Sequence, residues 1–246
     1  MRSVAFTLML FGYLGCKSSQ NFITEGNLTE YSLISNYYNQ QDSLEQAIEF
    51  YSSEGSRVKQ VILIRHGEPI LDKHSARSRK KMKQYVYDYD TAHVKPFQHS
   101  PVSFNESKLD TVYSSPIVRA SDTAHKLFRD HFVIVEDSIF REFEREVFPL
   151  PFFRLRPKTW GVISRIPWIL GLQSRNIEGF RNAKQRAKSD VQFLIAKANQ
   201  NGRAVLVAHG FLNRYVSKFL QEEGWQLSHD GGKDYLSVQV LTKISD

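Results

Sequence analysis

Val58-Lys59-Gln60-Val61-Ile62-Leu63-Ile64-Arg65-His66-Gly67 is the stretch that decides the fold. Residues 58–64 read as a short, β-branched, mostly apolar run, the pattern of a central strand buried on both faces. The run ends at an arginine, a histidine and a glycine, so the carboxyl end of this strand is where chemistry is expected. Working outward, residues 109–113, 131–136 and 204–208 read as further strands, and residues 235–241 as a closing one. Residues 119–130, 178–199 and 211–222 read as helices. Strands alternating with helices predict an α/β fold, a three-layer sandwich around a mainly parallel central sheet. No internal repeat is present.

Two segments interrupt this alternation. Residues 72–83 are strongly basic and lead into Tyr85-Val86-Tyr87-Asp88-Tyr89-Asp90, with Pro96 and Pro101 marking loops. The expected structure is an amphipathic helix in a basic and aromatic cap insertion over the active site. A surface for single-stranded nucleic acid is the alternative. Residues 146–171 are rich in Pro, Phe, Trp and Ile, but Pro149, Pro151, Pro157 and Pro167 break them too often for a membrane span. They are expected to form a cap segment or apolar patch, with residues 148–168 shaping one wall of the pocket.

With 246 residues, 41% of them hydrophobic, the chain can bury a sizeable core and is not of a disordered class. Its 33 Lys+Arg against 26 Asp+Glu give a formal net charge of +7, which favours anionic partners without choosing among nucleic acid, a membrane surface and a phosphorylated substrate. The single cysteine, Cys16, excludes an intrachain disulfide and a zinc site built on several cysteines.

The N-terminus carries one positive charge, Arg2, and then the apolar run of residues 4–14, of signal-peptide length. Tyr13-Leu14-Gly15-Cys16 resembles a bacterial lipobox, with Tyr13 where Leu is usual. Residues 1–15 are therefore expected to be a signal peptide of lipoprotein type, cleaved before a Cys16 that becomes lipidated. An ordinary signal peptide and a buried N-terminal segment are the alternatives. Residues 16–56 read as a polar spacer and N-terminal arm with a short helix at residues 43–51, and residues 57–246 as the folded domain.

Two strand ends each deliver a histidine followed by glycine, in Ile64-Arg65-His66-Gly67 and Val207-Ala208-His209-Gly210. In an open α/β sheet the carboxyl ends of the strands form the ligand crevice, so both imidazoles are expected to meet there. Tyr113-Ser114-Ser115-Pro116-Ile117-Val118-Arg119-Ala120 adds a strand that turns into a helix with an arginine at its start. Arg65 and Arg119 supply planar guanidiniums of the kind that bond phosphate oxygens in pairs.

Together, Arg65-His66-Gly67-Glu68, Ser115-Pro116-Ile117-Val118-Arg119-Ala120 and Ala208-His209-Gly210 resemble the histidine phosphatase superfamily, also called phosphoglycerate-mutase-like, over residues 58–243. The resemblance implies that His66 is the nucleophile that takes the phosphoryl group. It implies that Arg65, Arg119 and a protonated His209 line the phosphate pocket, with Gly67, Glu68 and Gly210 as further substrate-binding positions and Glu68 in a structural or pocket-edge role. Positive neighbours are expected to lower the pKa of His66 and keep it neutral. Asp137-Ser138-Ile139-Phe140-Arg141-Glu142 resembles the family's Asp-x-x-Leu-Arg-Glu stretch, which makes Glu142 the general acid and then the base. Glu144 and Glu146 are alternatives. No cofactor and no metal are implied.

After Glu68 the chain has Pro69-Ile70-Leu71-Asp72-Lys73-His74 in place of the Asn-containing, Gly-rich stretch of the sugar-phosphate mutases, which argues against mutase activity. The sequence is more similar to a less characterised bacterial branch, through Phe140-Arg141-Glu142 followed by Phe148-Pro149-Leu150-Pro151, and His209-Gly210-Phe211-Leu212-Asn213-Arg214 followed by Gly224-Trp225. Asn213 and Arg214 read as helix-surface residues, with a role in orienting His209 or at the pocket rim as the alternative. His74, His93, His99, His125, His131 and His229 read as surface or core residues, none at metal-ligand spacing. The expected protein is an exported, lipid-anchored phosphomonoester hydrolase with a phosphohistidine intermediate, on the periplasmic or cell-surface side of a bacterial membrane. Its expected partners are a small phosphomonoester and, through the anchor, the membrane, but not nucleic acid. The rivals are a phosphoglycerate-mutase-type transferase and an idle protein that binds a phosphorylated ligand.

Overall fold

The computed structural model describes residues 57–97, 111–129, 132–150, 152–172 and 177–245. The signal peptide, Cys16, the spacer, the helix expected at residues 43–51, and also His99, Pro101 and His131, lie outside the described residues.

Strand β1 (Arg57–Arg65) lies inside a six-stranded sheet. Its parallel neighbour is β6 (Arg203–Ala208), in a register that sets Arg65 opposite Ala208. On the far side of β6 come β3 (Thr111–Ser114) and then β4 (Val133–Glu136), both parallel to it. The other edge is antiparallel, with β8 (Val238–Ser245) on β1 and β7 (Gln226–Asp230) on β8. The order is thus β4-β3-β6-β1-β8-β7, a mainly parallel sheet as expected. Every residue of β6 is buried, which is why the central strands read as apolar runs without a polar face.

Side chains alternate across this sheet. Ile62, Ile64, Val112, Val205 and Val207 point to one side and pack against Ala124 and Phe128 of α2 (Val118–Phe128). Val61, Leu63 and Leu206 point to the other and meet Leu194 of α4 (Phe180–Asn201) and Leu212, Val216 and Leu220 of α5 (Gly210–Glu222). These faces make the three layers, and each fully buried aliphatic contributes about 1.5–3 kcal/mol. Helix α4 stops at Gly202, whose φ of 74° is the left-handed conformation that closes a helix and feeds β6.

A cap sits over the carboxyl ends of the strands. Its two-stranded ribbon joins β2 (Arg77–Ser78) to β5 (Arg154–Leu155), and α1 (Arg79–Thr91) follows β2 directly. The Pro-rich segment is less broken than its sequence suggests, because residues 157–169 form helix α3 (Pro157–Ile169). Pro157 occupies the first turn, where its missing N–H is not needed, and Pro167 lies inside the helix. Met82, Tyr85, Val147 and Trp160 hold the cap together, and the Trp160 indole N–H donates to the Arg77 carbonyl at 2.8 Å.

Two edge features differ from expectation. Strand β7 carries no sequence signal, since Gln226-Leu227-Ser228-His229-Asp230 has mostly exposed residues and no apolar period. The closing strand begins at Val238 rather than residue 235, which leaves Tyr235 free for the pocket. No helix among the described residues is long and apolar enough to cross a membrane.

Candidate active site

The register of β1 against β6 makes the site. The His66 N–H donates to the Ala208 carbonyl at 2.9 Å and the Ser115 N–H to the Val207 carbonyl at 3.1 Å, so three strand ends are tied together one residue beyond the sheet. The rings of His66 and His209 stand 5.3 Å apart, centroid to centroid. Both are buried, and Arg119, in the first turn of α2, is buried completely.

Hydrogen bonding fixes the tautomer of His66. Its Nδ1 lies 2.8 Å from the Gly67 carbonyl, which can only accept, so Nδ1 carries the proton. The Arg119 Nε–H donates to His66 Nε2 at 3.2 Å, so Nε2 is the bare nitrogen. The orientation of the His66 ring is therefore built into the backbone. Burial lowers the pKa of His66 well below the ordinary histidine value, and the Arg119 charge lowers it further. The expectation of a depressed pKa holds, but dehydration is the larger cause and the positive neighbours the smaller.

His209 departs from expectation. It was expected to be protonated, yet burial and then the Arg119 charge lower its pKa well below the ordinary value, so the ring is neutral. Its Nε2 is 2.8 Å from the Ser115 hydroxyl, while Nδ1 is buried with no hydrogen-bond partner among the described residues. Arg65 Nε is likewise buried and, among the described residues, unpartnered. The Arg65 guanidinium lies 4.5 Å from the Tyr235 ring centroid and donates to the Lys233 carbonyl. A side chain on Gly210 would put its first carbon 3.1 Å from Arg65 Nε, so glycine lets the arginine pass.

Four pocket residues escaped the sequence reading: Tyr89, Asp90, Arg145 and Tyr235. Asp90 Oδ1 accepts from Arg119 Nη1 at 2.9 Å and lies 3.4 Å from Arg145 Nη2. Both guanidiniums lie over the Tyr89 ring, at 4.4 and 4.8 Å from its centroid. Tyr235 stands 5.6 Å from the His66 ring. The 85–90 run signalled an aromatic cap, but nothing in its spacing could say which rings turn inward. Arg145 is held near the pocket by its neighbours, because Arg165 donates to the Phe143 and Glu144 carbonyls, both at 3.0 Å. Burial of Arg165 lowers its pKa to about 10.

The carboxylates divide by position. Glu142 accepts from the backbone N–H groups of Phe143 at 2.9 Å and Leu212 at 3.1 Å, with Phe211 at 3.4 Å. It thus caps the helix that starts just after His209. Glu144 and Glu146 line the cavity, and Glu144 Oε2 also accepts from the Glu178 N–H at 2.6 Å. Glu68 is bound by Lys73 and, at 3.0 Å, by Lys95, and these lysines lower its pKa. It ties the cap insertion to the end of β1. The Gly67 N–H donates to the Thr123 hydroxyl at 2.9 Å.

Asn213 is buried rather than on the helix surface, while Arg214 is exposed as expected. His74 is exposed, as expected, at the rim of the cavity. His93 pairs with Asp122 at 2.7 Å, and His125 lies 3.0 Å from the Ser121 carbonyl.

Beyond Arg65, Tyr89, Arg145 and Tyr235 the pocket opens into a cavity of about 520 Å³ walled by α1, α3 and residues 144–147. Facing imidazoles among guanidiniums at the carboxyl ends of parallel strands define an α/β protein with a cationic pocket around a buried, neutral ring nitrogen. Residues 96–243 match the family model of the histidine phosphatase superfamily (branch 1), and the chain belongs to that superfamily. The match begins downstream of Arg65-His66-Gly67, and it is the β1–β6 register that brings this first motif to the second histidine.

Solved structures are similar to this chain at low identity. Mycobacterial glucosyl-3-phosphoglycerate phosphatase is 20% identical, covering 76% of this chain and 91% of its own, with a TM-score of 0.46. Phosphoserine phosphatase from Entamoeba histolytica, in complex with 3-phosphoglyceric acid, is 19% identical, covering 76% of this chain and 95% of its own, with a TM-score of 0.43. No curated protein matches the chain.

Proposed function

We propose that the chain is a phosphomonoester hydrolase working through a phosphohistidine on His66, exported and anchored to a membrane by lipid on Cys16. The observation that carries the catalytic part is the neutral His66 ring with its proton held on Nδ1 and its bare Nε2 beside Arg119. In the first step Nε2 forms a bond to phosphorus as the ester P–O bond breaks, and a carboxylic acid protonates the leaving alkoxide. In the second, that carboxylate takes a proton from water, the hydroxide attacks phosphorus, and the P–N bond breaks to release phosphate and restore His66.

Arg65, Arg119 and Arg145 face the equatorial oxygens, and their attraction grows as charge spreads there in the transition state. His209 Nδ1 offers a further contact. A phosphate dianion beside His209 opposes the effect of Arg119 on its pKa and favours the donor form of the ring. The resemblance to the family gives the acid role to Glu142, and the cavity brings Glu144 and Glu146 forward. Single Gln variants separate the three: the acid is the one whose loss lowers turnover most on alkyl esters and least on a nitrophenyl ester, whose leaving group needs no proton.

The test is phosphate release from a panel of phosphomonoesters with EDTA present, by wild type and His66→Ala. EDTA-resistant release that disappears in the variant is expected. Release that persists in His66→Ala overturns the reading. Transfer of the phosphoryl group to an acceptor alcohol in preference to water would place the chain with the mutases. For the anchor, labelled fatty acid incorporated by wild type and not by Cys16→Ala is the expected result.

A further inference from the structure

The cavity next to His66 is larger than a phosphate needs, and charged residues line it beside one apolar wall. We infer that it holds the non-phosphate body of the substrate, and that this body is an apolar alkyl or aryl group, neutral or anionic, rather than a glycerate, a small sugar or a cationic alcohol. The inference rests on the phosphatase reading and adds the substrate class to it.

The volume, about 520 Å³, is that of a small-molecule site. Met82, Tyr85 and Val86 of α1 face Val147 and, on α3, Trp160 and Trp168. Several polar atoms of this wall are engaged elsewhere. The Trp160 indole N–H donates to the Arg77 carbonyl and the Trp168 indole N–H to the Glu178 carbonyl, both at 2.8 Å. The Ser164 hydroxyl accepts from the Phe148 N–H at 3.1 Å. Both Arg165 end nitrogens donate to backbone carbonyls, and its guanidinium lies between the rings of Trp168 and Phe211, 4.8 and 4.4 Å from their centroids.

A sugar or glycerate lying against this wall would leave hydroxyls facing aliphatic and aromatic carbon, at a cost for each unpaired group. An alkyl or aryl body gains from the same surface. Lys73, Arg156 and Lys158 also line the cavity, against Glu144, which the Glu178 N–H engages, and Glu146. This balance disfavours a cationic body.

Gly161 provides the test. It lines the cavity, and a first side-chain carbon there would meet nothing within 4 Å, so a large side chain can fill the space from inside α3. The readout is kcat/KM for hexyl, methyl and glycerol phosphate and phosphocholine, alkyl esters whose leaving groups are chemically alike. Wild type is expected to prefer hexyl phosphate over glycerol phosphate and phosphocholine by about 10–100-fold. In Gly161→Phe the ratio of hexyl to methyl phosphate is expected to fall by about 10-fold or more, while Gly161→Ala keeps most of it. A wild-type preference for glycerol phosphate, or a Gly161→Phe variant that melts like wild type with the ratio unmoved, overturns the inference.

If no ester is turned over, the phosphatase reading fails separately. The cavity is then tested by calorimetric binding of hexylphosphonate and methylphosphonate. Tighter binding of the hexyl compound that is lost in Gly161→Phe sustains the inference, and equal binding overturns it.

Discussion

The floor of the pocket and its cap are made by different means. The floor is a pair of adjacent parallel strands whose register alone sets His66 beside His209, with every side chain of β6 buried beneath them. The cap is an assembly of short pieces, in which a two-residue ribbon, two helices and one indole hydrogen bond hold a small cluster over the strand ends. The floor therefore carries the chemistry that the family shares, and the cap carries what distinguishes this chain. Changes in the floor should abolish reaction on every ester alike, whereas changes in the cap should redistribute activity among esters.

The largest expected effect is at the floor. His66→Ala should lower kcat by about 10⁴-fold or more on all esters with little change in melting temperature, because the proposed nucleophile is removed. A loss confined to some esters would break the division.

Next is Trp160→Ala in the cap, which should cost about 3–5 kcal/mol where the buried ring was. Hydrogen exchange should show the loss in α1 and α3 while the amides of β1 and β6 keep their protection. Equal loss in both regions would mean that floor and cap unfold as one unit.

Arg119→Lys keeps the charge but loses the fork that bonds His66 Nε2 and Asp90 together. A fall in kcat of about 10²–10³-fold is expected, with KM less affected.

The smallest expected effect lies in neither region and calibrates the rest. Asp190, buried in α4 with no hydrogen-bond partner for either oxygen among the described residues, has a pKa raised by burial to about 8. The folded state then holds a proton that the unfolded chain loses near pH 4, so this group's contribution to stability falls as pH rises from about 4 to about 8 and is level above. The buried neutral histidines act with the opposite sign, since His66 and His209 weaken the fold as pH drops below about 6.5. Asp190→Asn should therefore gain about 1–3 kcal/mol over wild type above pH 8 and little at pH 4. A constant difference across pH, read from thermal melts, would contradict the assignment.

The same division explains what could be read from the sequence. Strand ends announce themselves locally, through a β-branched run followed by His-Gly, so His66, His209 and Arg119 were legible. The cap is tertiary. Arg145 reaches the pocket because Arg165, twenty residues on, holds its backbone neighbours, and Tyr235 does so because β8 starts three residues later than its pattern suggests. Charge states were half legible. Spacing shows which positive residues will stand near an imidazole, but not that burial outweighs them, and this is why His209 is neutral where a proton was expected. Strand β7 lies at an exposed sheet edge, where no burial imposes a period.

The central claim is that His66 Nε2 carries the phosphoryl group. The direct measurement is rapid alkaline quench during turnover, which preserves phosphohistidine, followed by mass spectrometry of the peptide that contains His66. One phosphoryl group on His66, lost on acid treatment and missing in His66→Ala, is the predicted result. Steady release of phosphate with His66 unmodified throughout, or with the label on another residue, would contradict it.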